Sequence, residues 1–337
     1  MISENTNLSI AEEFAAKMKK DNQKQKIISA APFVILLFLV AVMGITVKGF
    51  FTFDNFTSIL NQLASPLALS LGLTFVIIMG SIDLSVEGVV GFVGSIVTLM
   101  VLNTKTDSDL GLAGMAVAVL AGMAIGFITG VIHVKSMLPS FMVTFAVSKI
   151  MSGFAVLSYK GEPAMVKEPL FQQIAEGSFI GIPVLTWIAF IIFAIAFFLE
   201  RYTAFGRYVF AIGDNESIVR NTGINIDKIK ILVFTWSGFC MGIAGVMGAI
   251  RIGRGEVLIG NGTLFPSITA IVVGGTSLAG GKGGVVNTLV GVLIVTVIQN
   301  GLILLGVNPY IQLAIQGIII ILAVSLSVTR GKKVITK

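Results

Sequence analysis

From residue 27 to residue 329 the chain repeats one pattern, a mostly apolar stretch followed by a short polar break. A helix needs about 20 such residues to cross the hydrocarbon core of a bilayer. Ten stretches are legible, at 27–47, 66–82, 88–102, 110–132, 137–158, 182–199, 231–250, 264–281, 284–306 and 310–329. Several are short or broken by glycine, so eight to eleven spans bracket the reading. Composition leaves little else to build: 55% of residues are hydrophobic, only 12% are charged, and there are 38 glycines. A soluble chain carries roughly 25% charge. The expected fold is therefore all-α and polytopic, with one transmembrane unit over 27–329 between a tail of residues 1–26 and a tail of residues 330–337.

The same composition restricts the chemistry. One histidine, His133, and one cysteine, Cys240, exclude a multi-histidine metal site, a thiolate cluster and an intrachain disulfide. No catalytic residue, no metal site and no cofactor in this chain are expected. The net charge of +6 would suit nucleic acid in a soluble protein. In a membrane protein it reflects Lys and Arg in cytoplasmic loops, so lipid and not nucleic acid is the expected partner.

Orientation follows from those charges. Residues 1–26 are polar, with five lysines ahead of the first apolar run, which is too long for a signal peptide core. Leu8, Ile10, Phe14 and Met18 recur at roughly helical spacing, which fits either a surface helix or a solvated tail. With the N-terminus inside, alternate loops hold five from the tail, Lys135, five within 200–230, Lys282 and four from the C-terminus, sixteen in all. The opposite side holds six, and Lys149 alone falls within a span, where it either faces protein or snorkels to an interface. That asymmetry predicts ten spans with both termini cytoplasmic.

Two loops are long. The outer one, 159–181, contains Pro163, Pro169, Glu162, Glu168 and Glu176 and reads as irregular and acidic. The inner one, 200–230, has Asp214 or Asn215 as an N-cap before 216–221, and Gly223 as a stop. It predicts a short helix held outside the membrane.

Two glycine-rich constellations stand out. In GLTFVIIMGSIDLSVEGVVG, residues 72–91, Asp83 and Glu87 lie between apolar runs. Carboxylates at membrane depth are expensive unless they face a cavity or partner. The segment is either an interfacial hairpin or a broken helix in which Asp83, Ser85 and Glu87 line or brace a polar path. In AIVVGGTSLAGGKGGVVN, residues 270–287, Gly275 is one of six glycines that surround Thr276, Ser277 and Lys282. A phosphate-binding loop would need Gly at 276 and Ser or Thr at 283, and neither is present. Close helix packing and a broken helix beside the substrate path both remain open. The two segments weakly resemble each other when Gly80 is aligned with Gly275.

Together, GLTFVIIMGSIDLS (72–85), FGRYVFAIGDNESIVRNTGINIDKIKI (205–231), IVVGGTSLAGGKGG (271–284) and GVNPYIQ (306–312) resemble the permeases of ribose-type sugar ABC importers. Members carry pentoses, galactosides, polyols and the furanose-like autoinducer-2, and more distant relatives carry nucleosides. The resemblance implies a type II importer fold in a bacterial inner or plasma membrane. It also implies a second permease copy or homologue, an extracytoplasmic solute-binding protein, and an ATPase partner that binds ATP and Mg. Gly213, Asn215, Glu216, Arg220 and Gly223 match the family's ATPase-coupling segment within 200–230. The chain departs from the family at Glu87 and Asp214, where glycine is usual, and at Pro266, where an acidic residue is frequent. An ion-coupled secondary transporter using Asp83 and Glu87 is the competing class.

Overall fold

A computed structural model describes residues 30–159 and 162–327. The expectations for the two tails, including the helical spacing from Leu8 to Met18, lie outside those residues. Twelve α-helices are described: α1 Ala30–Thr46, α2 Phe53–Ile78, α3 Val86–Met100, α4 Gly111–Ser136, α5 Ser140–Tyr159 and α6 Pro169–Glu176. They continue with α7 Val184–Tyr202, α8 Ala204–Arg220, α9 Ile226–Ile252, α10 Leu264–Val273, α11 Val285–Leu304 and α12 Pro309–Ser327. Six of them, α2, α4, α5, α7, α9 and α11, are long and apolar enough to cross a membrane. The protein is an all-α polytopic membrane protein that also contains the shorter apolar helices α1, α3 and α10.

Helices α2 and α9 form the centre, with Leu67, Val76, Val233 and Phe234 fully buried between their neighbours. The most extensive helix pair is α4 with α9, and small residues explain it. Gly122, Gly126 and Gly130 fall every fourth residue on α4; on the antiparallel α9, Gly122 faces Gly238 and Gly242, Gly126 faces Phe234 and Gly238, and Gly130 faces Ile231 and Phe234. A Cβ at Gly122 would come within 2.8 Å of the Gly238 carbonyl and the Gly242 Cα. The two backbones therefore touch, and dispersion replaces the hydrophobic drive that lipid cannot supply between helices.

The outer loop is more ordered than its proline and acid content suggested. Glu168 accepts a hydrogen bond from the Leu170 N–H (3.4 Å) and Pro169 opens α6, a cap and first-turn pair that starts a helix. Ser178–Phe179 and Ile182–Pro183 close a hairpin, and Ala164–Met165 pairs antiparallel with Arg254–Gly255.

The stretch 264–281 does not form one span. Its helix stops at Val273, and residues 274–284 form a loop in which Gly275, Gly280, Gly281 and Gly283 all have positive φ. Upstream, residues 253–263 fold back along α3. Gly255 packs by Thr98 and Tyr159, the Val257 carbonyl by Gly91, and Gly260 against the Glu87 backbone. Helix α10 thus begins beside the first turn of α3. That turn is itself deep, since Ser85 reaches Met241 on α9, and the adjacent Ser237 lies about 16 Å from the start of α9. Both α3 and α10 begin near mid-depth of the bundle.

Candidate functional site

The break between α2 and α3 exposes backbone that a helix would have satisfied, and buried N–H groups need partners. Three hydroxyls on α5, spaced by four residues on one face, supply them. Ser140 Oγ accepts from the Ile82 N–H (3.1 Å), Thr144 Oγ1 from Leu84 (2.9 Å) and Ser148 Oγ from Gly88 (3.3 Å). Asp83 is buried with both carboxylate oxygens engaged. Oδ1 accepts from the Ser85 N–H (2.9 Å) and Ser85 Oγ (2.6 Å), and Oδ2 accepts from Ser237 Oγ on α9 (3.0 Å). Asp83 and Ser85 thereby tie the unwound segment to the central helix. Glu87 points elsewhere: Oε1 accepts from the Gly262 N–H (3.0 Å) in the turn that precedes α10.

At the second break, Thr276 is fully buried and its Oγ1 accepts from the Gly284 N–H (3.4 Å). Gly275 stands with φ +102° against the Asn287 side chain. Glu200, at the end of α7, accepts the Val285 N–H at 2.5 Å and caps α11. Thr276 makes no hydrogen bond to the Asp83 group, so the two breaks hold themselves separately at their polar side chains.

Their backbones meet instead at the segment 204–225. The Gly281 N–H donates to the Ile78 carbonyl (2.8 Å). Gly213 occupies the angle between them, and a Cβ there would overlap the Ile78 carbonyl and lie 2.6 Å from the Gly281 nitrogen. Gly280 in turn packs against the Gly213 carbonyl and the Gly80 backbone. Three sequence-distant motifs thus share one junction.

Helix α8 bends at Asn215, whose φ and ψ of −158° and 97° are extended. Asn215 Oδ1 accepts from Ser217 N (3.1 Å), Ser217 Oγ (2.6 Å) and Ile218 N (3.3 Å), so it and not Asp214 caps the second half. Glu216 accepts from Arg220 Nη2 and from Lys230 Nζ on α9, both at 3.0 Å. Partial burial pushes its carboxyl up, yet the hydrogen bonds and charges of Lys230 and Arg220 hold it below the usual carboxylate range. Gly223 turns the chain with φ +80° in open space, and Asn225 caps α9. Beside this segment a cavity of about 500 Å³ opens between residues 79–82, the α4–α5 turn and α8. A second, of about 180 Å³, lies between α2, the Gly262–Thr263 turn, α10 and α11, with Ser65, Ser267, Thr296 and Gln299 on its wall.

Sequence reasoning singled out Asp83, Ser85 and the coupling residues. It missed Ser140, Ser148, Ser237 and Glu200. The α5 hydroxyl spacing was visible, but its target was not, because pairing with residues 82–88 is a tertiary fact. Among the described residues no group of three or more His, Cys, Asp or Glu side chains is arranged to hold a metal ion.

Helices that start near mid-depth of the bundle, cavities with hydroxyl and amide groups on their walls and a charged segment joined to both helix breaks fit a transporter of the discontinuous-helix class. Residues 55–324 match the family described as branched-chain amino acid transport system / permease component, and the chain belongs to that family. It is 35% identical over 295 residues to the ribose import permease protein RbsC of Escherichia coli K12, covering 86% of this chain and 91% of that one. It is also 35% identical over 293 residues to the L-arabinose ABC transporter permease protein AraH of Azospirillum brasilense, covering 86% and 85%. With the D-allose transport system permease protein AlsC of Escherichia coli K12 it shares 33% over 295 residues, 87% and 90% of the two chains. No solved structure matches the chain.

Proposed function

We propose that this chain is the permease subunit of a binding-protein-dependent ABC importer that carries a small sugar inward, powered by ATP hydrolysis in a partner subunit. Three relatives are named for ribose, L-arabinose and D-allose, so the proposed solute is a small aldose or a close analogue. Two permeases enclose the path, a solute-binding protein delivers the sugar from outside, and the ATPase docks on residues 200–230. Ten spans with both termini cytoplasmic are supported by the sixteen-to-six division of Lys and Arg, and by the contact of the Lys282 loop with Asp214.

The observation that carries the coupling role is the Gly213–Ile78–Gly281 junction. A displacement of α8 by the ATPase reaches the loop that ends α2 and the loop that starts α11 without an intervening flexible link. Those loops bear α3 and α10, and the N-terminal turn of α10 borders the cavity walled by Ser65, Ser267, Thr296 and Gln299. A neutral sugar needs such hydroxyl and amide donors with few competing charges. An ion-coupled mechanism through Asp83 draws no support, since hydrogen bonds from Ser85 and Ser237 already occupy both of its oxygens.

The test is sugar-stimulated ATPase activity of the assembled importer. Glu216→Ala frees the second half of α8 from Lys230 on α9 and should lower the stimulation while leaving membrane insertion intact. Unchanged stimulation would remove the coupling role. Sugar uptake by the purified chain in proteoliposomes driven by an ion gradient alone would overturn the ABC reading.

A further inference from the structure

Lys149 is the tenth of the 20 residues of α5, a helix long and apolar enough to span. The helix ends lie about 14 Å and about 15 Å away along its axis. A four-carbon stem does not bridge that distance, so snorkelling to either interface is closed to this side chain. Depth is fixed independently: the adjacent Ser148 bonds to Gly88 in the first turn of α3, which starts near mid-depth. Lys149 is exposed, and among the described residues no carboxylate pairs with it. Its ammonium lies 5.2 Å from the centre of the Phe145 ring.

An exposed ammonium at mid-bilayer against lipid is expensive, and such groups face protein or a water-filled cavity. The strip that carries it also contains exposed Ala146 and Gly153, where an added Cβ would meet nothing within 4 Å. We infer that the Phe145–Lys149–Gly153 strip of α5 lines the aqueous sugar path, closed on its far side by a second copy of this chain, and that Lys149 sets its charge selectivity. The ammonium donates to hydroxyl or anionic oxygens of the solute and repels cations. The path therefore passes neutral and anionic polyols and disfavours amino sugars in their charged form. This rests on the importer reading above, because a second permease is what encloses the strip.

The experiment uses the complete importer in membranes with Cys240, the sole cysteine and a buried one, replaced by serine. Phe145→Cys and, as a second reporter, Ala146→Cys are labelled with membrane-impermeant anionic and cationic methanethiosulfonates, with Lys149 intact or changed by Lys149→Gln. The expected result is labelling from water in which the charge at 149 favours the anionic reagent and disfavours the cationic one by about threefold each, about tenfold in their ratio. Lys149→Gln should abolish that bias. Labelling without a charge bias overturns the selectivity role. Labelling only by a lipid-soluble maleimide, or by neither reagent class, in a transport-competent importer overturns the path assignment. An importer that labels as expected but moves no sugar would instead overturn the function reading.

Discussion

Gly213→Ala adds one methyl group at the point where three segments touch, and its effect can be worked from the geometry. The new carbon would overlap the Ile78 carbonyl and approach the Gly281 nitrogen, both backbone atoms that no rotamer change can withdraw. Overpacking of this kind costs about 1–3 kcal/mol. The displacement also separates Gly281 N–H from the Ile78 carbonyl, now 2.8 Å apart, a net loss of about 1 kcal/mol. Together these give about 2–4 kcal/mol, taken from the contact that joins α8 to both helix breaks. The variant should insert normally, unfold at a lower temperature than the wild type, and lose most of its sugar-stimulated ATPase activity. Gly317→Ala is the control, since an added methyl on α12 meets no atom within 4 Å. A Gly213→Ala importer with the stimulation and midpoint of the control would refute the argument that these backbones are held together at Gly213.

Two further outcomes check separate parts of the structure. Asp83→Ala removes the acceptors of Ser85 and Ser237 and should destabilise the purified chain by roughly 2–5 kcal/mol, whereas Asp83→Asn, which retains one acceptor and can donate to Ser237, should cost clearly less in the same denaturation series. Equal losses would contradict a bracing role. The Glu216 carboxyl is depressed in the folded protein, so its pairing with Lys230 and Arg220 adds stability that is fully present above the ordinary glutamate value of 4.5. It is lost as pH falls through the lower folded value. The difference in thermal midpoint between wild type and Glu216→Gln should stay constant from about pH 8 to pH 5 and close only in more acidic buffer. Closure between pH 6 and 7 would show that another group controls it.

What the sequence determined by itself rests on periodic and compositional signals that act locally. Apolar length fixed the helical class because the backbone of a spanning segment must satisfy itself within that segment. Eight of the ten stretches coincide with a helix to within about five residues at both ends, and the cap residues around 215–223 were legible because a cap acts over three or four residues. The stretch 264–281 was misjudged for a related reason. Hydropathy counts apolar residues but does not register that Gly275, Gly280, Gly281 and Gly283 adopt positive φ, so that the helix stops after Val273. Only the tertiary structure decided where Asp83 finds Ser237, where Glu87 finds Gly262, and that Ile78, Gly213 and Gly281 meet. These contacts join residues more than 60 positions apart. They depend on which helix faces pack, and packing against α9 and α5 is a property of the assembled bundle. Lys149 shows the division most clearly: its sequence position left lipid interface and protein interior equally open, and the depth and exposure of its side chain on α5 removed the first.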